Sequence, residues 1–167
     1  KAFTEDFTAG STTVAAIPNA GPLPQAVSQT VTVSGKPADC LVIDVDVPVN
    51  ITHGLFGDLD LQLVHGPTTA VLFDNSVTSF CNGSANVVGI LDDDAAGRIT
   101  SCSNPMLNNE RRKTESGEAL NAFNQTVANG DWTLTVRDNA IGGPNQAGGA
   151  SLNSWSVAGQ CRYRRLV

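Results

Sequence analysis

Basic residues are scarce in this 167-residue sequence: ten Lys and Arg stand against sixteen Asp and Glu, for a formal net charge of −6. A chain with no basic field has nothing to neutralise phosphates, which argues against nucleic acid as a partner. The exceptions, Arg111-Arg112-Lys113 and the late Arg162, Arg164 and Arg165, read as a solvated loop and a basic tail. Histidine is scarcer still. With only His53 and His65, any triad or imidazole metal centre has to be built on one of the two. No His-Glu-x-x-His, Gly-x-Ser-x-Gly or phosphate-binding glycine loop is present and no cysteine stands alone, so no catalytic residue is assigned. Apolar runs of membrane-spanning length are also missing, and the first residues lack the basic-then-apolar order of a signal peptide. The chain is expected to be soluble, with no membrane partner, any signal having been removed or belonging to a larger precursor.

Four cysteines are present: Cys40, Cys81, Cys102 and Cys161. Their spacing is too wide for a zinc knuckle or a redox dithiol, and an even number in a loop-rich acidic chain fits two disulfides in an oxidising, extracellular compartment. Of the three possible connectivities, Cys81 with Cys102 closes a polar loop and Cys40 with Cys161 ties an early strand to the last one; this pairing is preferred. Acceptor sequons occur at Asn50, Asn82 and Asn124.

Hydrophobic periodicity is that of strands. Residues 14–17 form a short apolar run stopped by the proline-rich stretch 18–24. Val27 to Val33 alternates apolar with polar, and Leu41 to Ile51 does the same at Leu41, Ile43, Val45, Val47, Val49 and Ile51, with Asp44, Asp46 and Asn50 opposite. Pro48 in that run predicts a sheet edge or a bulge. Residues 58–64 and 70–73 read as a hairpin around His65-Gly66-Pro67-Thr68-Thr69. From Asp74 to Glu118 the pattern is irregular, and Leu120, Phe123 and Val127 allow at most a turn of helix. Trp132 to Asp138 and Ser151 to Val157 complete eight or nine short strands, which predicts an all-β, antiparallel sandwich. Trp132 and Trp155 alternate with apolar neighbours and are expected in the core.

The stretch Asn50 to Leu63 organises the rest. Its leucines, Leu59, Leu61 and Leu63, share one strand face, while Asp58, Asp60 and Gln62 share the other. Calcium needs six to eight hard oxygen ligands gathered from strand ends and loops. Asp58 and Asp60 at a strand start, Asp92, Asp93 and Asp94 in a loop, and Asp138 with Asn139 at a strand end offer them, so these six aspartates are the candidate metal ligands. The alternative is that they are solvated turn residues or caps to backbone N–H groups. His53 is expected to be a packed, hydrogen-bonded structural residue, and His65 an exposed turn residue.

Four motifs follow in order: Val45-Asp46-Val47-Pro48-Val49-Asn50-Ile51-Thr52-His53, Gly57-Asp58-Leu59-Asp60-Leu61-Gln62-Leu63, Gly130-Asp131-Trp132-Thr133-Leu134-Thr135-Val136-Arg137-Asp138-Asn139-Ala140, and Ser151-Leu152-Asn153-Ser154-Trp155-Ser156-Val157. Their succession resembles the P domain, or Homo B domain, which follows the subtilisin-like catalytic domain in kexin and furin-type proprotein convertases and occurs in secreted bacterial proteases. The resemblance runs from about Ile17 to Val157. It implies a jelly-roll β-sandwich over 17–161, with 1–16 as a lead-in and 162–167 as a basic tail. It also implies a secreted, non-catalytic accessory domain that stabilises and regulates a subtilisin-like catalytic domain in cis, with calcium (Ca2+) held by acidic residues at matching places. His65 to Thr69 and the segment from Asn75 to Glu115 depart from the family pattern. The alternative role is an independent extracellular module that binds protein or carbohydrate, since a fold alone does not fix a function.

Overall fold

The computed structural model describes residues 1–18, 25–74, 81, 84–99, 102–140 and 149–166. Among these, ten strands form two sheets: β1 (Ala2–Ser11), β2 (Ala15–Ala16), β3 (Gln25–Val33), β4 (Leu41–Thr52), β5 (Leu59–His65), β6 (Thr68–Phe73), β7 (Val87–Leu91), β8 (Arg111–Arg112), β9 (Gly130–Asp138) and β10 (Ser151–Arg164). One sheet has the order β1-β10-β4-β7-β8, with β2 also paired to β10; the other has the order β3-β9-β5-β6. All pairings are antiparallel except the short parallel contact of β7 with β8. The two sheets share one buried cluster, with Phe7, Val47, Ile51 and Val157 from the first meeting Leu61, Leu63, Trp132 and Val136 from the second. Phe7 stacks on Trp132 with ring centroids 6.0 Å apart, and Trp155 Nε1 donates to Gln29 Oε1 at 3.1 Å; both contacts join one sheet to the other.

The leucine alternation of β5 is carried through: Leu59, Leu61 and Leu63 are fully buried, with Asp60, Gln62 and Val64 half-buried between them. The hairpin to β6 closes through Gly66-Pro67, with His65 opposite Thr68. Gly66 has φ +56°, which suits a glycine at the first central position of a tight hairpin turn.

β4 departs from the expected phase at its start. Cys161 pairs with Val42 but Gln160 with Asp44, so Ile43 is the extra residue of a bulge. Val42 turns into the core, while Leu41 and Ile43 stay half-buried. Pro48 does not mark an edge, because β4 lies between β10 and β7. The β10 ladder keeps one register from Trp155↔Val49 to Ala158↔Asp46, and Val47 and Pro48 drop out of it. The missing N–H is thereby accommodated inside the sheet.

Strands β7 and β8 arise in the stretch that reads as irregular. β7 pairs with Val47 to Ile51 of β4 and buries Val87 and Leu91. Leu120 and Phe123 are buried on a 3-10 turn, Ala119–Phe123, whereas Val127 is exposed. Residues 2–11 pair along their whole length with β10, and Arg162 and Arg164 lie within β10 itself. Both preferred disulfides are present, Cys40–Cys161 and Cys81–Cys102. Of the sequons, Asn82 lies outside the described residues, Asn50 accepts from Asn153 within the sheet, and Asn124 is on an exposed turn.

Candidate functional site

The expected ligand set separates into two places. At the first, the 3-10 turn Phe56–Asp58 runs into β5 beside the end of β9, and the Asn139 N–H donates to the Asp58 carbonyl at 2.8 Å. His53, just past β4, is buried against Asp138. Its Nδ1 accepts from the Leu55 N–H at 3.1 Å, so the ring proton sits on Nε2 and is donated to Asp138 Oδ2 at 2.8 Å. Asp138 Oδ1 accepts from the Ala140 N–H at 3.0 Å. Asn86 holds His53 from the other side: its Oδ1 accepts from the His53 N–H at 3.0 Å, and its own N–H donates to the His53 carbonyl at 2.8 Å. Buried and hydrogen-bonded on both nitrogens, His53 is fixed in orientation and shielded from solvent.

Asp58 lies beside this pair, whereas Asp60 is opposite Arg137 in the β5–β9 ladder and so on the other face of the strand from Asp138, which is opposite Leu59. Burial, and then the charge of Asp138, push the Asp58 carboxyl above its ordinary value, with His53 opposing. Burial also raises the Asp60 carboxyl, the Asn139 side-chain hydrogen bond opposes, and the charges of Asp74 and Glu115 add to the rise. Asp74 and Glu115 are therefore acidic neighbours that strand periodicity did not single out; the Asp74 N–H reaches Glu115 Oε1 at 3.5 Å.

The second place holds Asp92, Asp93 and Asp94, and each has a different fate. Asp93 is buried and satisfied by donors: Oδ1 accepts from the Thr114 N–H at 2.8 Å and the Thr114 hydroxyl at 2.6 Å, and Oδ2 from the Leu120 N–H at 2.8 Å. It pins the 3-10 turn at Ala119–Phe123. Asp92 accepts from the Asp94 N–H at 2.8 Å and from Arg111 at 3.1 Å, while Asp94 is exposed. Arg111 lies in β8 with its side chain 54% exposed, and it also reaches Asp46 Oδ2 at 2.7 Å, so it bridges β4 to the aspartate turn at the surface. Burial, opposed by that Arg111 bond, pushes the Asp46 carboxyl up to about 6; its Oδ1 is buried with no hydrogen-bond partner. Burial and then Asp94 and Asp92 raise Asp44 as well.

Hard carboxylate oxygens suit calcium, and two carboxyls raised by burial and like charge are what a nearby cation would relieve. Among the described residues, however, no three His, Cys, Asp or Glu side chains converge as a metal site. The first place offers hard oxygens from Asp58 and Asp138, with Asp60 and Asn139 meeting on the neighbouring face, and the second is held together by Arg111, the Thr114 hydroxyl and backbone donors.

No family model and no curated protein matches the chain. Several solved structures are similar to it. A serine protease of Aeromonas sobria matches at TM-score 0.51 and 17% identity, over 98% of this chain and 27% of that one. The complex of that protease with its chaperone matches at 0.49 and 18% identity, over 99% and 28%. FlhE matches at 0.45 and 11% identity, over 97% and 98%. The chain thus spans about a quarter of the length of the protease. At these identities the likeness is one of fold: an all-β, two-sheet domain that a larger protease also carries.

Proposed function

We propose that this chain is a P domain of a secreted subtilisin-like serine protease, a jelly-roll accessory domain without catalytic residues of its own. In this reading it packs against the catalytic domain in cis, stabilises and regulates it, and binds calcium. The observation that carries the proposal is the agreement of two independent features. The motifs of β4, β5, β9 and β10 occur in the order of the P domain, and the whole two-sheet fold is similar to about a quarter of a serine protease. Both histidines are buried, and His53 is held in a closed hydrogen-bond network as a structural residue.

Calcium would be held at the first place, by Asp58, Asp60 and the end of β9 at Asp138 and Asn139, where it would supply the positive charge that offsets crowded carboxylates. Asp92 is engaged with Arg111 and Asp93 with Thr114 and Leu120, while Asp94 is exposed, which favours the first place over the second. Equilibrium dialysis with calcium, read beside thermal melts, tests this reading. Bound calcium with a raised midpoint supports it; no binding and no shift overturn the calcium assignment. The coding sequence upstream of Lys1 tests the protease assignment: a subtilisin-like catalytic domain supports it, whereas adhesion or carbohydrate-active neighbours favour an independent binding module.

A further inference from the structure

A cavity of about 360 Å³ lies between the Gly66-Pro67 turn and residues 126–131, and His65 forms part of its wall. His65 sits at the end of β5 and is 6% exposed, contrary to the exposed turn residue expected from its sequence neighbours. Its Nδ1 lies 2.8 Å from the Asp131 carbonyl oxygen and its Nε2 2.7 Å from the Val127 carbonyl oxygen. Carbonyl oxygens only accept, and a neutral imidazole carries a single N–H. Either neutral tautomer therefore sets a nitrogen lone pair against a carbonyl lone pair at hydrogen-bond distance. Only the imidazolium satisfies both contacts.

The surroundings suit a cation. The ring stacks on Trp132 with centroids 3.8 Å apart and planes 5° from parallel, and Phe123 meets it edge-on at 6.5 Å. An indole face attracts a positive charge. Among the described residues no carboxylate lies within the 4.0 Å ion-pair distance of its ring nitrogens. The charged groups on the packed elements are engaged elsewhere or exposed. Asp131 of β9 accepts from the Thr32 hydroxyl, Glu118 at the start of the 3-10 turn is exposed, and Lys36, bonded through its backbone to Asn129, pairs with Glu5. β6 contributes none.

We propose that His65 is held as an imidazolium and works as a pH-sensitive latch on the wall of this cavity. Protonated, it ties residues 127–131 to the end of β5. When it loses a proton, one of the two carbonyls loses its donor and the segment loosens. The sign follows from which form the carbonyls bind: the tie is complete at low pH and is lost as pH rises. Trp132 Nε1 to the Ala128 carbonyl and the Ala128 N–H to the Cys40 carbonyl persist in both forms, so the change stays local.

Long-range proton–nitrogen NMR of the histidine rings, followed from about pH 5 to about pH 9, tests the latch. Two protonated ring nitrogens on His65 at the acid end are expected, and one at the alkaline end. The Val127 to Asp131 amide resonances should shift with the same midpoint. A ring carrying a single proton throughout overturns the proposal. So does a segment whose resonances titrate unchanged in His65→Phe, which keeps the stacking and lacks both donors. If that variant does not fold, the wild-type titration alone decides.

Discussion

His53 Nε2 lies 2.8 Å from Asp138 Oδ2, with the two side chains 0% and 2% exposed. The contact ties the end of β4 to the end of β9, and so joins the two sheets at the edge where Asp58 and Asp60 emerge. Removing one partner of a buried charged hydrogen bond leaves the other without its donor or acceptor. Asp138→Ala is expected to lower stability by about 3 kcal/mol, and Asp138→Asn by less because an acceptor oxygen remains. Urea unfolding of both variants in calcium-free buffer checks this order.

Asp46 supplies a pH-dependent prediction. Its folded-state pKa of about 6 lies above the ordinary 3.8, so the folded protein holds this proton more tightly than the unfolded chain does. The ionised carboxyl therefore opposes folding at neutral pH, and the penalty disappears as pH falls from about 6 towards 3.8. Asp46→Asn is expected to stabilise by about 1–2 kcal/mol at neutral pH and to make no difference in acid, since the amide oxygen still accepts from Arg111. Unfolding midpoints of both proteins across that window measure the effect.

The two disulfides close loops of different length, with sequence separations of 121 for Cys40–Cys161 and 21 for Cys81–Cys102. A cross-link removes more freedom from the unfolded chain when its loop is longer. Replacing the first pair by serine is expected to cost about 4–5 kcal/mol, and the second about 3 kcal/mol. Denaturation of the two double variants ranks them.

Gly159 of β10 lies where Phe7 crosses the sheet. A Cβ there would clash with the Asp44 carbonyl oxygen and stand 2.7 Å from Phe7 Cζ. Gly159→Ala is expected to destabilise by about 2–3 kcal/mol, because neither the backbone of β4 nor a ring packed on Trp132 can give way freely. A thermal melt lowered by several degrees is the expected reading; an unchanged midpoint would show that Phe7 repacks without cost.

The strands that alternate cleanly were legible in the sequence, because Leu59, Leu61 and Leu63, or Trp132, Leu134 and Val136, state which face is buried without help from neighbours. β7 was not: Val87 to Leu91 is short, interrupted by Gly89 and set among Asn and Ser, and what makes it a strand is the free edge of β4. The phase slip at Ile43 was hidden because an apolar residue stands on both faces there, and only the pairing with Gln160 and Cys161 reveals the bulge. The three adjacent aspartates looked alike; the Thr114 and Leu120 donors that make Asp93 structural lie more than twenty residues later. His65 looked like a turn residue because His-Gly-Pro is turn-like, and its two carbonyl partners, Val127 before β9 and Asp131 within it, lie more than sixty residues away.

The most direct test of the proposed role is the heat-inactivation half-life of a subtilisin-like catalytic domain, produced alone and joined to this chain, with and without calcium. The account predicts a half-life at least several-fold longer in the joined protein, with part of the gain lost when calcium is removed or when Asp58 and Asp60 are changed to Asn. Equal half-lives for the lone and joined catalytic domain, in the presence of calcium, would contradict it.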